Sequence, residues 1–354
     1  MHCLPPVAVG AECNIAALSF RLASMIQGCE NPQVEARARR APQVSYRMAE
    51  VATLLEAPGT LAVLGFDPAV PSGDDPRHLQ VALASTDAPA PLELWQVDAP
   101  VRCGMEGALR WSTGGGWLFA AVELDEREHG GARATAKQAY DLLHRFVAGR
   151  DARHVLRVWN YIGAINDGEG DAERYKRFCE GRAAGMGDFF AEGFPAATAI
   201  GHLAAEHRLQ VYLLAGEQAG HRVENPRQVS AWRYPRQYGP TPPSFARAML
   251  LPARDTLAIS GTAAVVGHAS AHHDNLDAQL EETLTNLDAL LASADMRAGF
   301  DAHSPLKVYL RHGSDAPRVR DALQQRLPGV PLLLLHGDIC RRELLVEIDG
   351  WRYV

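Results

Sequence analysis

The chain has 354 residues, room for two domains at roughly 150 residues each. With 47% hydrophobic and 22% charged residues, wholesale disorder is excluded. The longest apolar run, 330–335, falls far short of the ~20 residues of a membrane helix. Lys and Arg number 35 against 42 acids, a formal charge of −7. A global nucleic-acid reader or polybasic membrane binder would carry the opposite balance. An anionic ligand must therefore be held by a local cluster of cations.

The six cysteines, 3, 13, 29, 103, 179 and 340, form no C-x-x-C pair and no zinc-like spacing, a pattern of a reducing compartment. Met1 to Arg21 has no basic region followed by an apolar one. Cytoplasm is the expected location. Residues 1–50 read as an N-terminal extension, and the basic tract Arg37-Ala-Arg-Arg40 as part of a solvated terminal segment rather than a docking arm. Leu61–Gly65, Val81–Ala84 and Trp117–Leu124 read as strands. Gly114–Gly116 is a turn; no G-K-[ST] follows it, so it is not a phosphate loop. Thr135–Val147 fits an amphipathic helix with Ala139, Leu142, Leu143 and Phe146 on one face.

A distinctive stretch follows: Arg157-Val-Trp-Asn-Tyr161, Asn166-Asp-Gly-Glu-Gly170 and Arg174-Tyr-Lys-Arg-Phe178, then a strand, Gln210–Gly216. Between Glu224 and Asp255 lie five arginines (227, 233, 236, 247, 254), with no acid and no lysine. Trp232, Tyr234, Tyr238 and Phe245 interleave with them. This local positive region with flat aromatic faces suits a planar anion, because Arg binds carboxylates bidentately. The last hundred residues read as a strand with a glycine-permitted kink (Leu257–Val266), a helix (Asn275–Leu291, apolar at 276, 280, 284, 287 and 291) and a strand (Leu306–Arg311). A second helix (Ala316–Leu327) and two strands (Pro331–Leu335, Glu343–Ile348) follow. That order predicts an α+β fold, one sheet with helices on one face.

This C-terminal block, with Ile259-Ser-Gly-Thr262, Gln279, Thr285-Asn-Leu287 and Leu345-Val-Glu-Ile348, resembles the Rid/YjgF-like (chorismate-mutase-like) fold. The segments Arg157–Gly170 and Arg174–Phe178, with Pro243-Ser-Phe-Ala-Arg247, Ser260–His268, and Cys340 seven residues before Glu347, resemble the chorismatases. The resemblance covers about residues 50–354. It implies two Rid-like domains, each a mixed β-sheet with helices on one face: 51–215 with a connecting segment, and 216–354 carrying the active site. It also implies no metal and no organic cofactor. Enzymes of this family cleave chorismate and release pyruvate. One branch hydrolyses the ether and leaves a dihydroxycyclohexadiene carboxylate. Others release 3-hydroxybenzoate, in some cases with 4-hydroxybenzoate, and have a cysteine where Cys340 stands. A second branch-determining position falls near Phe245-Ala246.

An enol ether is cleaved by protonating its terminal methylene carbon, and a buried carboxylic acid holds a proton near neutrality for this step. Glu347 is the expected acid, aimed by strand alternation at the same face as Leu345. On pattern alone it would be a solvent-facing strand glutamate; the resemblance reverses that. Cys340 is expected to line the site and steer the intermediate, against the commoner role of a packing cysteine. Two substrate carboxylates call for cationic anchors: Arg247 and Arg311 lead, with Arg157 third, although a lone Arg is more often a surface ion-pair member. Tyr212 and Tyr161 are candidates for ring contacts, although core tyrosines with a satisfied hydroxyl are commoner. His268, His272 and His273 lack metal spacing, and Asn166–Gly170 lacks the ligand ladder of a calcium loop.

The sequence thus reads as a cofactor-free chorismatase making pyruvate and 3-hydroxybenzoate, with room for 4-hydroxybenzoate as a second product, its partner a small molecule rather than nucleic acid or membrane. The alternatives are the hydrolytic branch, or a non-catalytic Rid-like protein that binds small carboxylates. Rid domains usually trimerise; a fused chain buries equivalent surface internally, so a monomer is expected.

Overall fold

The computed structural model describes residues 40–191, 193–203 and 207–354. Arg37 to Arg39 of the basic tract, and Cys3, Cys13 and Cys29, lie outside the described residues.

Two seven-stranded mixed sheets dominate. The first runs, edge to edge, Asp338–Ile339, Ala196–His202, His154–Gly163, Arg208–Gly216, Trp117–Asp125, Leu109–Gly114 and Arg102–Glu106. The second runs His221–Val223, Ala248–Leu250, Thr256–Ala263, Val346–Tyr353, Leu306–Leu310, Leu332–His336 and Ala84–Ser85. Each contains one parallel pair, His154–Gly163 with Ala196–His202 and Leu306–Leu310 with Leu332–His336. A four-stranded sheet of Gln43–Arg47, Leu92–Gln96, Thr60–Phe66 and His78–Val81 completes the core.

Strand alternation sorts side chains onto two faces. In the first sheet Val158, Ile162, Val211 and Leu213 pack under helices Ala132–Ala148 and Arg174–Met186. In the second, Val346, Ile348, Leu257 and Ile259 pack under Leu276–Ser293 and Ala316–Arg326. The opposite faces meet in one aromatic-rich core containing Trp95, Trp159, Tyr161, Tyr212, Tyr309, Trp351 and Tyr353. Trp159 stacks on Tyr212 with ring centroids 4.9 Å apart. The α+β fold with helices on one face of each large sheet is as expected.

The expected division after residue 215 is crossed in both directions. Asp338–Ile339 pairs with Ile200–Gly201 of the first sheet, and Ala84–Ser85 pairs with Leu335–His336 of the second. The described end of the supposed N-terminal extension is not a solvated segment: Gln43–Arg47 pairs with Leu92–Gln96. The Val44 N–H donates to the Tyr353 hydroxyl (3.0 Å), which itself donates to the Pro42 carbonyl (2.8 Å).

Most expected helices and strands form within a few residues of their expected ends. The helix expected at 275–291 spans Leu276–Ser293 and is capped by the Asn275 side chain, which accepts from the Ala278 N–H. Three segments differ. Val81–Ala84, expected as one strand, is the join between His78–Val81 and Ala84–Ser85, which belong to different sheets. Arg174–Met186 is a helix that apolar periodicity does not announce, because Gly181 and Gly185 stand at its contact with Ala132–Ala148. A methyl group at either would meet a backbone carbonyl, of Arg133 or of Lys137. The last strand starts at Val346 and continues to Tyr353, while Glu343 lies in a turn. Leu345 therefore packs on the helix side, and Glu347 faces the other way, with Tyr309 and Ala263 as its cross-strand partners.

Candidate active site

Glu347 lies at a cavity of about 250 Å³ built from both halves of the chain. The strand Ala196–His202 supplies Ala197, Thr198 and Ala199; the helix Arg174–Met186 supplies Tyr175 and Arg182. The acid-free segment supplies Tyr234, Phe245 and Arg247, and the turn before the last strand supplies Cys340 and Arg341.

The kink at Gly261 is a bulge. Ser260 and Gly261 together stand opposite the single residue Asp349, with pairing resuming at Thr262 against Ile348. Bulges re-aim side chains beside active sites. Here the bulge opens room: a methyl group at Gly261 would land on Glu347 Oε1. The Gly261 N–H is held by Thr198 Oγ1 at 2.9 Å.

The Glu347 side chain is only 5% exposed. Burial pushes its carboxyl up to about 8, the nearby Asp349 charge adds to this, and Arg157, Arg247 and Arg341 oppose it. At neutral pH this favours the carboxylic acid form, which can donate a proton into the cavity. Cys340 lines the same cavity. Burial and the nearby Glu347 push its thiol up, so it contributes a neutral, polarisable wall rather than a thiolate.

Arg247 also lines the cavity, only 5% exposed. Its Nη2 donates to the Tyr234 hydroxyl (2.7 Å) and the Val229 carbonyl (2.8 Å), and its Nε has no hydrogen-bond partner among the described residues. Phe245 lies beside it, 5.2 Å from ring centroid to guanidinium. Ala246, between them, is fully buried and does not line the cavity; its N–H bonds the Pro195 carbonyl and its carbonyl accepts from the Ser260 hydroxyl. Strand-like alternation thus gives the cavity Phe245 and Arg247 and turns Ala246 away.

The other expected anchors stand elsewhere. Arg311 spends its guanidinium on protein: it donates to Asp338 and Asn166, and to the carbonyls of Leu344, Ile339 and Arg341. It fastens the turn on both sides of Cys340 instead of meeting a ligand. Replacing it (R311M) is expected to destabilise the chain by about 3 kcal/mol, read as a lowered midpoint in urea. Arg157 is fully buried behind the cavity, paired to Asp349 at 3.0 Å. Tyr161 and Tyr212 are core residues. The Tyr161 hydroxyl meets those of Tyr212 (3.3 Å) and Tyr309 (3.2 Å), and Lys307 reaches Tyr212 at 3.3 Å.

Sequence reasoning did not single out Arg182 and Arg341. Arg341 donates to the His268 carbonyl and Ser270 hydroxyl and lies 4.1 Å over the Tyr238 ring. Arg182 is 4% exposed, and its Nε and Nη2 have no hydrogen-bond partner among the described residues. A buried guanidinium with free donors at a cavity wall is a site for an anion. Tyr175 and Arg182 stand seven residues apart, two turns on one helix face; treating that segment as a helix would have found the pair.

A sequence profile of FkbO/Hyg5-like chorismatases, covering their N-terminal part, matches residues 93–215. A 3-hydroxybenzoate synthase of Streptomyces hygroscopicus is 35% identical over 293 residues, 77% of this chain and 84% of the relative. A chorismatase of Streptomyces rapamycinicus is 35% identical over 279 residues, 73% of this chain and 81% of the relative. A chorismatase crystal structure superposes with a TM-score of 0.78 at 30% identity, covering 89% of this chain and 99% of that one. With the cavity acid seven residues beyond a cysteine, and with likeness along most of both chains, this enzyme belongs to the chorismatase family.

Proposed function

We propose that this enzyme cleaves chorismate to pyruvate and 3-hydroxybenzoate, with Glu347 as the acid. The observation that carries the reading is one carboxyl, buried and held protonated to about pH 8, facing a cavity walled by Cys340 and arginines. Chorismate is a dianion, and Arg247, Arg341 and Arg182 are the cations that line this cavity deeply enough to hold its two carboxylates.

Glu347 donates its proton to the terminal methylene carbon of the enolpyruvyl ether, and the ether oxygen stabilises the resulting cation. Attack by the C4 hydroxyl oxygen on that cation, with cleavage of its bond to the C3 oxygen, moves the three-carbon unit to C4 while the hydroxyl proton passes to the freed C3 oxygen. Loss of the C3 hydrogen as a proton to the Glu347 carboxylate, with cleavage of the C4–O bond, then aromatises the ring and releases pyruvate. The sum consumes no water, so keeping water away from the cation favours this route over hydrolysis. Cys340 supports it as an unionised side chain that fills space a water molecule would otherwise take beside the cation.

The test is incubation of the purified enzyme with chorismate and a chelator, following pyruvate and resolving the ring products by chromatography. Pyruvate with 3-hydroxybenzoate is the expected result. Pyruvate with the non-aromatic diol overturns the product, and chorismate uptake in a calorimeter without pyruvate overturns catalysis. The C340A variant is expected to keep turnover while diverting product away from 3-hydroxybenzoate; an unchanged product ratio removes Cys340 from the steering role.

A further inference from the structure

Behind the cavity lies a second carboxylate that the reaction above does not use. Asp349 is two residues from Glu347 on the strand Val346–Tyr353 and so shares its face, ~7 Å along the strand. Its side chain is fully buried. Its Oδ2 accepts from four donors: Arg157 Nη2 (3.0 Å), Trp159 Nε1 (2.9 Å), Thr198 Oγ1 (2.7 Å) and the Tyr309 hydroxyl (2.9 Å). These four donors, a guanidinium among them, pair its Oδ2. Among the described residues its Oδ1 has no hydrogen-bond partner, and Lys307 Nζ lies 4.0 Å from it. Lys307 is itself neutralised by Glu93 at 2.9 Å.

The same donors couple this carboxylate to the catalytic strand. Thr198 Oγ1 accepts from Arg157 (2.5 Å) and from the Gly261 N–H while donating to Asp349. Gly261 is the residue whose missing side chain makes room for Glu347. We propose that Asp349 is a positioning residue that acts through Glu347, as a fixed negative charge that opposes loss of the Glu347 proton. This rests on Glu347 being the acid of the proposed reaction.

That charge adds to burial against the cations around Glu347. Arg157 from the first sheet, Arg247 from the segment before Ala248–Leu250, and Arg341 from the Cys340 turn all favour its ionised form. Arg182 adds a further cation on the cavity wall, while Cys340 and Tyr175 are neutral groups whose own ionisation is pushed up. A site that must bind a dianion with guanidinium groups would strip the proton from its own acid. Burial and Asp349 counter that tendency together, and Asp349 does so from where it cannot repel the substrate by direct contact.

The experiment is the pH dependence of kcat/KM for chorismate cleavage in the full chain. Wild type is expected to lose activity on the alkaline side as Glu347 ionises. In D349N that limb moves to lower pH by about 1 to 2 units, because Arg157 is left uncompensated. In R157M it moves to higher pH, and in the charge-balanced R157M/D349N variant it returns toward wild type. A structural role alone would lower the height of the profiles without moving their limbs in opposite directions.

An unmoved limb in folded D349N, or singles that move the same way, overturns the proposal. Should D349N fail to fold, comparing R157M with R157M/D349N measures the same charge. If wild type releases no pyruvate, the substrate reading has failed, and a carbon-13 titration of the Glu347 carboxyl, assigned with E347Q, decides the coupling separately. A lower midpoint in D349N than in wild type supports it, and equal midpoints overturn it.

Discussion

E347Q is expected to lower kcat for pyruvate release by about 10³-fold while leaving KM within a few-fold. At pH 7 the wild-type side chain is already a neutral acid, so glutamine matches the charge and shape of the reactive form and lacks only the transferable proton. The arginines proposed to hold the substrate are untouched, so the loss is expected to fall on the chemical step. An E347Q enzyme with wild-type kcat would remove Glu347 from catalysis.

The same substitution makes a prediction about stability. Glu347 binds its proton more tightly in the folded chain than in the unfolded one. The wild-type contribution is thus fully favourable below the ordinary glutamate range and is lost as pH rises from there to about 8. E347Q has no proton to lose. Its melting temperature should rise above that of wild type by ~5 °C at pH 9, with little difference at pH 4.

The second large effect is expected at Gly261. G261A should lower kcat/KM by about 100-fold, the usual consequence of misplacing a reacting group by an ångström. The introduced methyl group meets the Glu347 carboxyl, the movable end of a side chain, and Thr198 Cγ2 at an ordinary 3.4 Å. The backbone therefore has no reason to shift, and folding stability should stay within about 1 kcal/mol of wild type. Activity and stability are expected to separate, which thermal melts beside steady-state kinetics will show. Wild-type turnover in G261A would mean that the carboxyl does its work from a different position.

The fold was legible where one period governed a whole element. The leucine stripe of Leu276–Ser293 and the apolar runs of Leu306–Leu310 and Leu332–His336 gave themselves away. The helix Arg174–Met186 did not, because glycines occupy its contact face where apolar residues were looked for. In the site, the acid and the cysteine beside it were read through the family resemblance, and Arg247 stood out because its neighbourhood lacks acids. Arg311 and Arg157 were expected as anchors because an arginine's partners cannot be read from one sequence. Five protein acceptors claim the first. Asp349, distant from the second in sequence, claims the other. Tyr161 and Tyr212 followed the commoner fate of core tyrosines.

The traded edge strands bear on what becomes of the chain when it is divided. Because Asp338–Ile339 completes the first sheet and Ala84–Ser85 completes the second, a chain cut near residue 215 leaves each half with a bare sheet edge, the kind of edge that pairs with other chains. Either half made alone therefore carries an aggregation hazard that the whole chain covers.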